Sequence, residues 1–117
     1  MAAPKDLKGK IPLQLLPAQP IALVAEVIEY GASKYGRNNW REGLDWTELA
    51  GAALRHIYSY LDGEECAEDS KVHHLGHARA CLNIILDASE NGYLIDNRPK
   101  KGKTAELIKK FEIREGK

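Results

Sequence analysis

Apolar residues recur at helical spacing in three stretches of the chain. In the first stretch, residues 20 to 36, Pro20 suits the first turn of a helix because its missing N–H needs no partner there. We therefore predict a helix that begins at Pro20 and ends near Gly36, with Gly31 as a weak point in its middle. Its apolar stripe consists of Ile21, Val24, Val27 and Ile28.

The second and third stretches carry signals for both of their ends. Asp45 and Glu48 have the spacing of a capping box, and Gly63 favours a helix stop. Ser70 suits the N-cap of the third helix, and the Asn-Gly pair at 91 to 92 ends it. The apolar positions are Leu49, Ala52, Ala53, Ile57 and Tyr60 in the second helix, and Leu75, Ala78, Leu82, Ile85 and Leu86 in the third.

Three helices with short connections predict an all-α bundle in a single domain of residues 1 to 117. Residues 1 to 19 are rich in proline and predict an extended arm, apolar enough to lie against a neighbouring surface. The tail, residues 98 to 117, starts with a basic run and continues into a short amphipathic helix or edge strand. Three such helices cannot bury all of their apolar faces against one another, which favours a homo-oligomer, either a dimer or a tetramer.

The charge balance narrows the classes of partner. Lys plus Arg and Asp plus Glu both number 17, and such a balance argues against binding to a nucleic acid polymer. A small phosphorylated ligand needs only a local group of cations. Cys66 and Cys81 do not suggest a disulfide framework, so we expect free thiols in a reducing compartment. With no apolar run of about 18 residues and no signal peptide, we expect a cytoplasmic protein without membrane contact.

Four carboxylates lie close together between the second and third helices. Gathered carboxylates repel one another unless a cation joins them, and Mg²⁺ or Mn²⁺ prefers such oxygen ligands. The alternative is a solvated acidic loop whose charge suits the start of the third helix. The cluster consists of Glu64, Glu65, Glu68 and Asp69.

Histidines follow this acidic loop and also precede it. His74 and His77 leave the third helix on adjacent headings, at spacing i, i+3. Because the second and third helices run antiparallel around a short connection, we expect His56 to face the first turns of the third helix. A group of three imidazoles can bind a transition metal, act as a general base or acid, or form hydrogen bonds in the core.

The segment KYGRNNW, residues 34 to 40, combines rings, amides and cations at the end of the first helix. A nucleotide needs rings for stacking, amides that read base edges and cations for its phosphates. The alternative is a helix end with Trp40 packed into the core. Lys34 and Arg55 are either phosphate partners or surface charges.

In their order along the chain, these segments resemble the phage-type dATP/dGTP diphosphohydrolases, a MazG-like branch of the all-α nucleotide pyrophosphohydrolases. The resemblance runs from about Gly9 to Asp87. The matching elements are Gly31 and Ala32, Lys34 to Gly36, Asn39 and Trp40, Arg55 and His56, Gly63 and Glu64, His74 to His77, and Asn83.

The resemblance implies an oligomeric enzyme dependent on Mg²⁺ or Mn²⁺. It would split a purine deoxynucleoside triphosphate into monophosphate and pyrophosphate and so control a phage nucleotide pool. The residues implied as metal ligands are Glu64 and Asp69, with Glu26 or Glu29 of the first helix. Those implied in proton transfer are His56, His74 and His77. Those implied in nucleotide binding are Lys34, Tyr35, Asn39, Trp40, Arg55 and Asn83.

The chain also departs from the pattern. MazG relatives carry several glutamates and a Glu-x-x-Asp pair where this chain has Arg55-His56 and His74-x-x-His77. By resemblance we expect an acid near Ala67 and a glycine near Lys71, and the chain has neither. These departures favour an alternative, a nucleotide-binding sponge that does not hydrolyse its ligand. A structural bundle with no ligand is a third interpretation, which must explain why Lys34, Tyr35, Asn39, Trp40 and Arg55 occur together with the histidines.

Overall fold

The computed structural model describes residues 9 to 114 and confirms an all-α fold. Residues 1 to 8 of the predicted arm and 115 to 117 of the tail lie outside the described residues. Among the described helices, none is long and apolar enough to cross a membrane. The α-helices are α1 (Ala18–Tyr35), α2 (Trp46–Leu61), α3 (His74–Glu90) and α4 (Thr104–Arg114). Two 3-10 turns occur, at Leu13–Leu15 and Asn39–Glu42. The two short strands are β1 (Leu44–Asp45) and β2 (Leu94–Ile95).

Helix α1 follows the predicted span closely. It begins two residues before Pro20, after Pro17 as N-cap, and continues through Gly31 without a break. Gly36 ends it with φ of +90°, a left-handed conformation that favours glycine. In the tail, the amphipathic segment forms α4, which decides between the predicted helix and the predicted strand.

The predicted capping box of α2 is wrong. Asp45 is the N-cap, but its side chain makes no cap hydrogen bond. Instead, the Thr47 backbone N–H donates to Asn97 Oδ1 at 3.3 Å, and Asn97 Nδ2 donates to Thr47 Oγ1 at 2.8 Å. The parallel pairing of β1 with β2, with Leu44 opposite Leu94, brings this distant segment to the helix end.

The predicted N-cap of α3 is also wrong. His73 occupies that position, and its Nδ1 accepts from the Leu75 backbone N–H at 3.0 Å. Ser70 lies in the preceding loop, where its Oγ accepts from the Val72 N–H at 3.1 Å. The loop therefore folds on itself before the helix begins. The end of α3 at Asn91 agrees with the prediction.

Both departures from the family pattern lie in the loop before α3. Lys71 has φ of +65°, where a glycine avoids a steric cost of about 1 kcal/mol. Ala67 is buried; its N–H donates to the Val72 carbonyl, and its carbonyl accepts from the Lys71 N–H, both at 2.9 Å. The Cβ of an acidic residue at position 67 would therefore lie inside the loop.

Helices α2 and α3 pack antiparallel around a core of small residues. Ala53 of α2 contacts Ala78 and Cys81 of α3, and Leu49 and Ala52 pack against this group. Among the described residues, no large side chain is fully buried. Small residues bring the two helices close together but exclude little apolar surface from water.

Much apolar surface therefore stays exposed in the single chain. Its accessible area is 9700 Å², whereas a compact monomer of 13.0 kDa exposes about 6300 Å². Its radius of gyration of 18.0 Å also exceeds the roughly 13 Å of a compact chain of this length. On α2 four exposed apolar side chains form one helical stripe, made up of Leu54, Ile57, Tyr58 and Leu61, and Tyr60 is exposed as well.

Gly76 allows α1 to approach α3. A Cβ at Gly76 would lie 3.2 Å from Leu23 Cβ, whereas one at Gly31 would meet nothing within 4 Å. We predict that Gly76→Ala lowers the free energy of unfolding by about 1–3 kcal/mol through overpacking. The matched Gly31→Ala should raise it by about 1 kcal/mol. Urea denaturation at one protein concentration measures both; equal effects would contradict the close approach.

Candidate active site

The three predicted histidines come together between α2 and α3. The rings of His56 and His77 stack with centroids 4.4 Å apart and planes inclined by 7°. The Nδ1 atoms of His56 and His74 are 2.8 Å apart, a hydrogen-bond distance. His74 and His77 are buried, and His56 is half-buried. The predicted three-imidazole group is confirmed.

A carboxylate sets the protonation pattern of this group. His74 Nε2 lies 2.6 Å from Glu64 Oε1. An ionised carboxylate only accepts hydrogen bonds, so neutral His74 carries its proton on Nε2 and offers a lone pair at Nδ1. His56 must then donate its Nδ1–H to His74 Nδ1. The unprotonated atom at the end of this chain is His56 Nε2.

His77 has a separate hydrogen-bond partner in the loop. Its Nε2 lies 2.6 Å from Ser70 Oγ, which also accepts from the Val72 N–H. The sequence suggested Ser70 as a helix cap because of its position before the apolar stripe. In the fold, the residue instead orients His77.

Burial lowers the pKa of His56 and His77. Loss of hydration is the largest cause for both rings, and neighbouring imidazoles act in the same direction. The nearby Asp69 carboxylate acts in the opposite direction on the pKa of both. His56 and His77 are therefore neutral at pH 7, the state in which an imidazole nitrogen can accept a proton.

Helix α1 reaches the cluster through Asp69. The Tyr30 hydroxyl donates to Asp69 Oδ2 at 3.3 Å, and Lys34 Nζ lies 4.5 Å from the centroid of the Tyr30 ring. The Ser70 backbone N–H donates to Asp69 Oδ1 at 2.8 Å and is the main cause of the lowered pKa of Asp69. The sequence analysis did not single out Tyr30. Its position one turn before Lys34, on the same face of α1, could have indicated that it belongs to the site.

The four predicted metal ligands do not converge within one chain. Glu64 contacts His74, Asp69 contacts Tyr30, and Glu26 and Glu29 are exposed on α1. Over residues 9 to 114, no three His, Cys, Asp or Glu side chains are grouped closely enough to hold a metal ion. Glu64 and Asp69 nevertheless both border the histidine cluster.

A pocket of about 400 Å³ lies between α1, α2 and α3, and Cys81 in its lining follows His77 of the cluster by one turn of α3. Tyr35, Asn39 and Trp40, the residues predicted to contact the nucleoside, all line it. Its other lining residues are mostly apolar: Val27, Ile28, Gly31, Ala32, Leu44, Glu48, Leu49, Ala80, Cys81 and Ile84. A flat, partly apolar ring fits such a lining.

Trp40 is held in place by α3. Its Nε1–H donates to Asp87 Oδ2 at 2.7 Å, and Arg41 binds both carboxylate oxygens of Asp87 at 3.0 and 2.8 Å. Arg41, followed by Trp40, holds the pKa of Asp87 below its ordinary value. Trp40 therefore both anchors the segment and lines the pocket, so the two sequence interpretations are compatible.

The remaining predicted contacts lie at different distances from the pocket. Arg55 is exposed on α2. Burial raises the pKa of Cys81, and the charge of Arg55 acts against that rise; burial lowers the pKa of His56, and the charge of Arg55 adds to that fall. Asn83 lines a separate shallow groove with Asp87 on another side of Trp40. The structure thus does not place Asn83 in the main pocket.

Comparison with known proteins identifies the family of the chain. A sequence model described as dATP/dGTP diphosphohydrolase, N-terminal, matches residues 2 to 98. The chain belongs to this family. The resemblance inferred from the motifs is therefore confirmed, and the matched range contains the histidine cluster and the pocket.

A relative of this diphosphohydrolase family extends well beyond the chain. The dATP/dGTP diphosphohydrolase of Salmonella phage PMBT28 is 34% identical over 92 residues, which are 79% of this chain and 29% of the relative. The chain therefore spans less than a third of the length of that relative. No solved structure matched the chain.

The neutral histidines predict a pH dependence of stability. Because the pKa of His56 and of His77 is lower in the folded chain, the unfolded chain binds protons more readily. Stability should therefore fall as the pH drops below about 6.5, the ordinary histidine pKa. His56→Gln should make this fall shallower in urea titrations between pH 7.5 and 5.5.

The matched control is His73→Gln, because His73 lies outside the stacked cluster with its ring against Tyr60. That variant should lose some stability with its helix cap but keep the pH slope of the unmodified protein. Equal slopes in all three proteins would contradict a neutral, desolvated cluster.

Proposed function

We propose that the chain hydrolyses purine deoxynucleoside triphosphates, dATP or dGTP, to monophosphate and pyrophosphate. The observation that supports this most is a ring-sized pocket whose lining includes Cys81, one turn of α3 after His77 in the histidine cluster that Glu64 orders. Family membership supports the same substrates. In a phage, the reaction would adjust the purine deoxynucleotide pool.

In this proposal, the nucleoside occupies the pocket. Its base packs against Tyr35 and Trp40, and Asn39 offers an amide to the base edge. The triphosphate extends towards Arg55 and the acidic loop. Arg55 and Lys34 then stabilise the phosphate charge that increases in the transition state.

His56 acts as the general base. Its Nε2 takes a proton from the attacking water, while its Nδ1–H stays bonded to His74 Nδ1. Glu64 stabilises the resulting positive charge through His74 Nε2. His77 supports the His56 ring by stacking, and Ser70 holds His77.

We also propose a requirement for Mg²⁺ or Mn²⁺. Mg²⁺ is usually held by one or two carboxylates together with substrate phosphates, so a preformed protein cage is not needed. Glu64 and Asp69 are the carboxylates bordering the cluster that suit this use. The bound ion would neutralise phosphate charge and lower the pKa of water. Glu26 and Glu29, exposed on α1, are weaker candidates.

Sequestration of a nucleotide without hydrolysis is the second candidate. The observation that favours it is the lack of three converging metal ligands among the described residues. The buried Ala67, where an acid was expected, points the same way. The pocket would then bind a phosphorylated ligand and release it unchanged.

Turnover assays separate these candidates. We predict that dGTP or dATP with Mg²⁺ or Mn²⁺ yields monophosphate and pyrophosphate, resolved by ion-exchange chromatography, and that EDTA abolishes the reaction. Glu64→Gln should lower kcat by about 100-fold or more, because it disrupts the proton arrangement of His74 and His56. Nucleotide binding should persist.

Glu65→Gln is the matched control, since Glu65 contacts α3 through its backbone carbonyl, which accepts from the His74 N–H at 2.9 Å. It should keep near-normal turnover. Retention of dGTP without any product would instead support sequestration, and equal loss in both variants would contradict the assigned role of Glu64.

We further propose that the chain forms a homo-oligomer. The exposed stripe on α2 and an accessible area of 9700 Å² for one chain support it. The excess over a compact monomer, about 3400 Å², is ample for a standard interface, which buries about 800 Å² per partner. A second copy of the chain is the partner we infer.

Leu61→Glu tests this assembly, because Leu61 is 77% exposed and lies on the α2 stripe. We predict that light scattering gives a multiple of 13.0 kDa for the unmodified protein and a large shift towards 13.0 kDa for the variant. Leu107→Glu on α4 is the control and should keep the assembled mass. A monomeric unmodified protein at about 50 μM would contradict the proposal.

A further inference from the structure

Glu48 is an exposed carboxylate in the first turn of α2, where its charge suits the helix dipole, and it lines the main pocket. The capping box that would have engaged it is not formed, because Asn97 holds the start of α2 instead. Among the side chains described, residues 9 to 112, Glu48 has no side-chain hydrogen bond or ion pair. Its carboxylate is therefore available to a ligand.

The same residue lines the pocket proposed to hold the nucleoside. Among the described lining residues, Glu48 is the sole charged side chain, and most of its neighbours are apolar. A ligand that fills the pocket removes water from this carboxylate. That desolvation is unfavourable unless the ligand supplies hydrogen-bond donors.

The two candidate purines differ in the donors they offer. Guanine presents its ring N1–H and its 2-amino group side by side, two donors that match the two oxygens of one carboxylate. Adenine presents its 6-amino group beside an unprotonated N1, whose lone pair repels a carboxylate oxygen. A carboxylate accepts but never donates while ionised, so it distinguishes these edges.

We infer that Glu48 is a specificity-determining residue that selects guanine over adenine. The inference rests on the proposed nucleotide-hydrolysing function and adds a preferred substrate, dGTP. Asn39 does not make this choice, because its amide both donates and accepts and so suits either base. The stacking residues Tyr35 and Trp40 also accept either ring.

Substitution of Glu48 by glutamine should remove the preference for guanine or reverse it. A glutamine amide can accept from the adenine amino group while donating to adenine N1, and it loses one of the two bonds to guanine. By calorimetry with dGMP and dAMP, which are not hydrolysed, the unmodified protein should bind dGMP about 10-fold tighter or more. Glu48→Gln should bind dAMP as tightly as dGMP or tighter.

Glu42→Gln is the matched control, with the same loss of charge at an exposed glutamate that does not line the pocket. It should keep the dGMP preference. Thermal melting of each variant confirms an intact fold. Because Glu48→Gln changes neither size nor shape, a gain in dAMP affinity would be specific evidence for base reading.

Two other outcomes are distinguishable. If both nucleotides bind and Glu48→Gln leaves their ratio unchanged, the role of Glu48 is overturned while the proposed function stands. If the unmodified protein binds neither nucleotide and hydrolyses no deoxynucleoside triphosphate, the proposed function fails, and the inference about guanine fails with it.

Discussion

The hydrogen bond between His56 and His74 joins α2 to α3 where the acidic loop meets the helices. It requires an antiparallel pair with small residues at the contact, because Ala53 and Ala78 let the backbones approach closely enough for two imidazoles to meet. It also requires an acceptor for the outer proton, which Glu64 supplies. A polar network inside a small core is stable only when each member has a partner.

The pocket depends on a second, more distant connection. Trp40 lines the pocket because Asp87 accepts its indole N–H and because Arg41 holds Asp87 in turn. Rigid placement of an aromatic ring matters for binding, since a ring already ordered in the free protein loses little conformational entropy when a base packs on it. Asp87 of α3 thus holds Trp40, in the segment after α1, in place before a ligand binds.

Periodicity in the sequence was sufficient for the helical spans, for the antiparallel pairing and for the meeting of His56 with His74 and His77. It was insufficient for the capping hydrogen bonds. Asp45 is the N-cap of α2, as its position suggested, but Asn97 supplies the side-chain hydrogen bonds at this helix end. At α3, His73 takes the N-cap position, and Ser70 lies in the preceding loop. Asp87, 47 residues from Trp40, likewise had no local signal. Tertiary contacts decide these positions.

The hydrogen bonds between Asn97 and Thr47 mark the end of the segment that completes the start of α2. Asn97 is among the last residues needed to complete α2, and the family match ends one residue later, at position 98. Helix α4 follows with half-exposed apolar side chains. Segments after this boundary can therefore diverge, be exchanged or be fused to other domains during evolution without disturbing the site. Such modularity agrees with a relative in which the shared region makes up only 29% of the length.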